Sequence, residues 1–374
     1  MPRTTWSPIA VLLGTRPEAI KLAPVILALR ASGRPPLVAT TGQHAAIAVD
    51  ALSLFGIKPD VDLRLMRQGQ TLDYLLAAAI EQVGAMVEQR QPAAVVVQGD
   101  TTSMLGSALA SFHHRVPVGH VEAGLRSGDP AHPFPEEMNR RAASAIARWH
   151  FAPTARAADN LKREGIASGV HVTGNTVVDA LRQIDSAGVH RLPPELASFI
   201  DGRPYVLATA HRRESWAGGI ARIAEALRDV LRVEPDLRVV FVTHPNPLAR
   251  DPVESVLGSM PQAMILNAIG YGVFIKLLSG ARLAVSDSGG VQEEGATLGI
   301  PVLVTRSTTE RPEGVDAGAV QLVGTDGERI RSTVLTLLHD HEAEARMRAA
   351  GRDLYGDGRA AERIAEILVR DLDA

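Results

Sequence analysis

Side chains that could move protons or hold phosphate are gathered in this chain into a few short clusters. The acids are Asp100, Glu122, Glu136 and, much later, Glu294; the cations and cation-capable groups are Arg16, Lys21, His211, Arg212, Arg213, His244 and Arg311. Two or three carboxylates around one sugar-sized pocket supply the general acids and bases required when a C–H proton leaves and later returns. Changing a carbon's configuration needs protons handled on both faces of the ring, so carboxylates from separate loops suit it better than neighbours on one helix. The cationic set is large enough to neutralise a diphosphate without a divalent metal. No HExxH pattern and no carboxylate cluster at metal-ligand spacing is present, so a metal-independent site without a cofactor is expected.

The stretch Ser286-Asp287-Ser288-Gly289-Gly290-Val291-Gln292-Glu293-Glu294 follows the apolar run Leu283-Ala284-Val285 and opens a helical pattern. A strand that stops at a Ser-Gly-Gly turn and feeds a helix leaves backbone N–H groups and the positive end of the helix dipole facing a ligand, a place to hold phosphate. The carboxylates Glu293 and Glu294, one turn further in, would lie within reach of a ribose diol if the ligand is a nucleotide. Each cluster also has a plainer use. The turn serves equally as an ordinary connection with a solvated Glu pair, and Asp100 as a helix N-cap before Thr-Thr-Ser. Lys21 suits a solvated helical lysine, and His211 and His244 suit hydrogen-bonded structural histidines.

Placement along the chain favours the functional uses. Residues 9–13, 37–41, 93–98, 117–121, 150–152 and 170–173, then 205–209, 237–243, 283–285 and 301–304, read as short buried strands that alternate with helical periodicity. That rhythm predicts parallel α/β architecture with helices on both sheet faces. Every cluster named above follows directly after one of these strands, at the carboxyl edge where open α/β sheets bind ligands. Two such edges facing one another would form a cleft. The Gly-, Asp- and Pro-rich loop at 126–135 ends in Phe134-Pro135-Glu136-Glu137 before a helix, and a loop of that length usually has a role.

A chain of 374 residues is long for one core, and two domains are expected. The first would span 1–174 and be completed by an amphipathic helix near 359–374; the second would span 175–358. Residues 188–204, containing Pro193-Pro194, read as an exposed connection. Apolar content of 45%, 22% charged residues, a net charge of -3 and 4% aromatics exclude a nucleic-acid footprint. The absence of Cys removes disulfides, thiolate zinc sites and cysteine nucleophiles. The polar residues 1–8 and the short apolar run 9–13 give neither a signal-peptide core nor a membrane span, and a cytoplasmic location is expected.

Taken together, Gly14-Thr15-Arg16-Pro17-Glu18-Ala19-Ile20-Lys21, Gly99-Asp100-Thr101-Thr102, His120-Val121-Glu122-Ala123-Gly124-Leu125-Arg126, Pro133-Phe134-Pro135-Glu136-Glu137-Met138-Asn139-Arg140, Thr173-Gly174-Asn175-Thr176, His211-Arg212-Arg213-Glu214, His244-Pro245-Asn246-Pro247, 287–294 and Thr308-Thr309-Glu310-Arg311-Pro312-Glu313-Gly314 closely resemble the non-hydrolysing UDP-N-acetylglucosamine 2-epimerases. The motifs span nearly the whole chain in the family's order. The resemblance implies two Rossmann-like domains of the GT-B type, a homodimer, and UDP held mainly by the second domain. It implies anti elimination of UDP from UDP-GlcNAc to 2-acetamidoglucal, then re-addition with inversion at C2 to give UDP-ManNAc. By motif position, Asp100, Glu122, Glu136 and His211 would be the catalytic group. Arg16, Lys21, Ser288, Gly289, Gly290, Glu294 and Arg311 would contact UDP, with Phe274 near the uracil.

One departure from the family pattern concerns an activating second UDP-GlcNAc, which many bacterial members hold beside the active site. Gln43, Arg67, Arg212 and His244 remain available to such a ligand, but Gln43-His44 is followed by Ala45-Ala46-Ile47, which lack Arg- and Gln-like donors. Activation is therefore expected to be weakened, and strongly sigmoidal saturation in UDP-GlcNAc would contradict this. Rival readings are a 2-epimerase of a diacetamido uronic acid nucleotide, a GT-B glycosyltransferase, a silent sugar-nucleotide sensor and a hydrolysing relative. Three strand-end carboxylates favour proton shuttling over simple transfer.

Overall fold

The computed structural model describes residues 7–42, 45–67, 69–186, 191–210 and 218–374. Gln43, His211, Arg212, Arg213 and Glu214 lie outside them. The chain divides into two compact units, Met1–Ala187 with Tyr355–Ala374, and Gly188–Leu354.

The first unit is built on β1 (Ile9–Leu13), β2 (Leu37–Thr40), β3 (Val61–Asp62), β4 (Ala94–Gln98), β5 (Val118–Val121), β6 (Trp149–Ala152) and β7 (Val170–Val172). All pair in parallel, in the order β3-β2-β1-β4-β5-β6-β7. The helices are α1 (Arg16–Ala31), α2 (Ala45–Ser53), α3 (Leu72–Arg90), α4 (Thr102–His113), α5 (Glu136–Ile146), α6 (Ala155–Arg163) and α7 (Thr176–Ser186), with α16 (Ala360–Asp373) from the chain's end. Strands β1 and β4 are buried throughout, which explains their continuous apolar runs: both faces of the sheet are covered. Their side chains and those of α3 and α4 form one core, including Leu12, Val83, Val87, Val95, Val97 and Met104.

The second unit repeats the pattern with β8 (Tyr205–Ala210), β9 (Arg238–Thr243), β10 (Ala263–Leu266), β11 (Leu283–Ser286), β12 (Val302–Val304) and β13 (Val320–Leu322), parallel in the order β10-β9-β8-β11-β12-β13. Its helices are α8 (Pro194–Ile200), α9 (Gly219–Val233), α10 (Pro247–Leu257), α11 (Tyr271–Gly280), α12 (Gly289–Thr297), α13 (Pro312–Asp316), α14 (Gly327–His339) and α15 (His341–Ala350). Its core joins β8, β9, β11 and β12 to α9, α10 and α14 through Val206, Ile223, Leu227, Val239, Phe241 and Leu303. In each sheet the strand order reverses once, between β1 and β4 and between β8 and β11. A crevice opens at such a switch point in parallel α/β sheets, outside the carboxyl ends of the strands.

Two features differ from the sequence expectation. Residues 188–204 contain α8 rather than only an exposed connection: Pro194 starts the helix, where its missing N–H is harmless, and Leu196 and Ile200 are buried. The division also falls after α7 rather than at Gly174. Asp179 of α7 accepts the backbone N–H groups of Ala360 (3.3 Å) and Ala361 (2.9 Å), closing the start of α16, which has no cap of its own. Beside it, Asn175 N–H donates to the Tyr355 carbonyl at 2.8 Å.

Beneath the carboxyl edge of the first sheet, His120 of β5 lies opposite His150 of β6. His120 Nε2 donates to the Gly99 carbonyl at 2.7 Å, which places a proton on Nε2. Burial pushes both imidazoles down to about 4, helped at His120 by Arg126 and Arg140 and at His150 by His120. Between the unfolded value near 6.5 and about 4, the unfolded chain binds more protons than the folded one. Stability contributed by the neutral rings is therefore present above the unfolded value and lost as pH falls, by up to about 1.4 kcal/mol per pH unit for each proton. Urea midpoints measured across this range should fall with pH, and His150→Gln should flatten the slope; an unchanged slope in the variant would rule this out.

Candidate active site

At the first switch point, the turn after β1 turns inward on itself. Thr15 caps α1, and the Glu18 carboxylate folds back to accept Gly14 N–H at 2.6 Å and Thr15 N–H at 2.8 Å. Thr101, from the turn after β4, donates to the other Glu18 oxygen at 2.6 Å. Burial raises the Glu18 carboxyl above the ordinary range, opposed by these same hydrogen bonds. The N–H groups of Gly14 and Thr15 are thus occupied by the protein's own acid, and Arg16, the first residue of α1, is half-buried.

Lys21 is buried, 4% exposed, which removes the solvated reading. Its Nζ pairs with Glu122 Oε1, while Gln98 Nε2, from the last residue of β4, donates to Glu122 Oε2. Lys21 therefore serves a candidate catalytic acid in this structure. Glu122 sits at φ +67°, in the left-handed region, and is followed by Gly124 at φ +88°, where a Cβ would lie 2.1 Å from the Ala157 carbonyl oxygen. Non-glycine residues hold such a conformation at a cost of order 1–3 kcal/mol, and only where the surroundings over-determine it.

Asp100 is not the helix cap. Thr101 caps α4 by accepting Met104 N–H at 3.0 Å, which leaves Asp100 to pair with Arg140 Nη1 at 2.7 Å. Asn139 Nδ2 donates to the Asp100 carbonyl at 2.8 Å. Arg140 also binds the fully buried Glu137 through Nε at 3.1 Å, and Glu137 accepts Ser127 N–H at 3.0 Å, tying the 126–135 loop to α5. Glu136 is the first residue of α5, at the positive end of that helix. Glu137, Asn139 and Arg140 stand in the Pro133–Arg140 motif but were given no role from sequence, and Gln98 was not singled out. The Glu137/Arg140 spacing of three on an expected helix was the available signal.

In the second unit, Ser288 is the N-cap residue of α12 but makes no side-chain cap, unlike Thr15, Thr101 and Thr154 in the first. Its N–H donates to Ser286 Oγ at 3.0 Å. Gly289 has no room for a side chain, because a Cβ there would stand 2.5 Å from Arg311 Nη1. Arg311, 8% exposed, binds Glu293 Oε1 through Nε at 2.5 Å and Glu310 through Nη1; Arg306 holds the other Glu310 oxygen at 3.0 Å. Thr309 accepts Arg311 N–H at 3.1 Å and donates to Gln292 at 2.8 Å. The glutamate pair is therefore buried and partnered: Glu293 holds Arg311, and Glu294 accepts the Tyr271 hydroxyl at 2.9 Å. Phe274 lies one turn after Tyr271 on α11, mostly buried.

The residues expected at an activator are less defined. Arg67 lies over the Tyr74 ring at 4.7 Å in the first unit, and the exposed His244 accepts Asn246 N–H at 3.1 Å in the second. Among the described residues, no group of three or more His, Asp or Glu is placed to hold a metal ion, and no helix is long and apolar enough to cross a membrane.

Two parallel α/β units, each with polar side chains at the carboxyl ends of its strands, define a Rossmann-like two-domain protein. A family model described as UDP-N-acetylglucosamine 2-epimerase matches residues 28–369. UDP-N-acetylglucosamine 2-epimerase of Escherichia coli strain K12 is 43% identical over 371 residues, covering 96% of this chain and 98% of its own. The crystal structure of UDP-GlcNAc 2-epimerase from Neisseria meningitidis bound to UDP-GlcNAc superposes with a TM-score of 0.91 at 38% identity, covering 97% of this chain and 100% of that one. That of the Methanocaldococcus jannaschii enzyme, in complex with UDP-GlcNAc and UDP, gives 0.83 at 32%, covering 97% and 99%. The chain belongs to the UDP-N-acetylglucosamine 2-epimerase family.

Removing one partner of a buried ion pair leaves the other charge uncompensated. Arg140→Met takes the buried guanidinium from Glu137, which keeps the partly exposed Arg141 Nε at 3.3 Å and the Ser127 N–H, and should lower unfolding free energy by about 3 kcal/mol in urea titrations. A loss below about 1 kcal/mol, the usual value of an exposed pair, would show that the network carries no such weight.

Proposed function

We propose that this protein interconverts UDP-GlcNAc and UDP-ManNAc as a non-hydrolysing 2-epimerase. In the first step a carboxylate takes the C2 proton while the C1–O bond breaks, and UDP leaves with the electron pair to give 2-acetamidoglucal. In the second, UDP oxygen re-forms the bond to C1 and a proton is delivered to C2 from the opposite face. Asp100, Glu122 and Glu136, with His211, are assigned to this proton traffic. Arg16, Ser288, Gly289, Gly290, Glu294 and Arg311 are assigned to the UDP, with Phe274 beside the base; Lys21 reaches it only while also serving Glu122.

The single observation that carries the reading is the pair of acids at the first sheet edge, each locked to a cation: Glu122 to Lys21 and Asp100 to Arg140. Carboxylates held this way are positioned proton acceptors rather than solvated surface charges. The uncapped start of α12 beside Arg311 supports the UDP assignment. The reading includes catalysis without metal or nicotinamide, a homodimer, and a cytoplasmic location, all of which accord with the family. It also keeps the weakened response to a second UDP-GlcNAc.

Incubation with UDP-GlcNAc in D2O and no acceptor should give UDP-ManNAc and deuterium at C2 of both sugars. Asp100→Asn should lose this turnover by on the order of 10²-fold or more while keeping UDP affinity, and Arg311→Ala should lose mainly UDP affinity. Product without deuterium, or equal loss of both properties in both variants, would contradict the assignment.

A further inference from the structure

We propose that Gln98 is a positioning residue for Glu122, acting with Lys21 to keep the Glu122 carboxylate ionised and aimed; this rests on Glu122 taking part in the proton chemistry. Four of the five residues of β4 are Ala or Val, and the fifth, Gln98, is a buried amide at the strand's carboxyl end. An amide taken out of water needs partners, and Gln98 Nε2 finds one in Glu122 Oε2. Gln98 lies opposite Val121 in the β4/β5 register, so the contact reaches the residue just beyond the strand, where the backbone has turned to φ +67°.

The choice of donors has a chemical consequence. An amide NH2 and an ammonium group are both donors, and they address different oxygens of the same carboxylate. A protonated Glu122 would set its own O–H against one of these donors, so the arrangement favours the charged, accepting form. These two contacts, one on each oxygen, hold the carboxylate at a residue whose backbone is left-handed and whose neighbour Gly124 is tightly packed. Other charged groups near this corner are Asp100, next but one to Gln98 in sequence and paired with Arg140, and Glu18, which is tied to Thr101. Gln98 thus differs from a core amide whose only task is to satisfy itself: its partner is a group assigned to the reaction.

The test uses Gln98→Met, which removes the donor at similar volume, and Gln98→Glu, which restores a donor only while protonated. Gln98→Met should lower kcat on the order of tenfold or more, with KM for UDP-GlcNAc, UDP affinity by calorimetry and Tm little changed. In Gln98→Glu a carboxylic acid can donate to Glu122 at low pH, whereas two adjacent carboxylates repel once both ionise. Its kcat relative to wild type should therefore be highest near about pH 6 and fall at least about tenfold by about pH 9. A merely structural amide would change Tm without that pH signature. Normal kcat and a flat ratio in both variants, beside an inactive Glu122→Gln, would overturn the positioning role alone. An active Glu122→Gln would overturn the assignment of Glu122, and the role of Gln98 with it.

Discussion

Carboxylates removed from water at the carboxyl ends of parallel strands must be given donors, and the rest of both sites follows from which donors they are given. Glu18 takes backbone N–H groups, Glu122 takes an ammonium and an amide, and Asp100 and Glu137 share one guanidinium. In the second unit Glu293 and Glu310 hold Arg311 between them. Each pairing fixes a side chain to within a hydrogen bond, and each also decides what that side chain can still do for a ligand.

The two strand-to-helix turns at the switch points show how opposite the outcomes can be. After β1 the chain places Glu18 three residues beyond Thr15, and the resulting capping box uses up the donors of Gly14 and Thr15. After β11 the corresponding helix begins with two glycines, carries no acid within its first turn, and has against Gly289 the Arg311 guanidinium together with the Glu310 carboxylate that it binds. The first turn spends two backbone N–H groups on its own acid, whereas α12 opens without a side-chain cap. On the proposed reading this difference divides the labour, with leaving-group binding on α12 and proton transfer among the acids around β4 and β5.

Much of this was legible from the residues. Continuous Val, Ile and Leu runs located the buried central strands β1, β4, β8, β9 and β11, and the clusters at their ends located the sites. The short edge strands β10 and β13 were not picked out: β13 is three residues long with Gln321 at its centre, and β10, although Ala-Met-Ile-Leu is apolar throughout, is only four residues long and partly buried. Neither was the partner of Lys21, since Glu122 is a hundred residues away and no local pattern encodes a contact across two loops. For Asp100 the cap reading stood beside the catalytic one because Thr101 next to it has equal capping chemistry, and the cap on Thr101 and the pairing with Arg140 separate the two. Gln98 was hidden at the end of a strand whose other residues are all apolar.

Backbone amide exchange with and without UDP tests the division between the two turns most directly. The account predicts that UDP slows exchange at Gly289, Gly290 and Val291, while Gly14 and Thr15, already bonded to Glu18, are slow in both states and do not change. Protection that appeared at Gly14 and Thr15 and left 289–291 unaffected would contradict it.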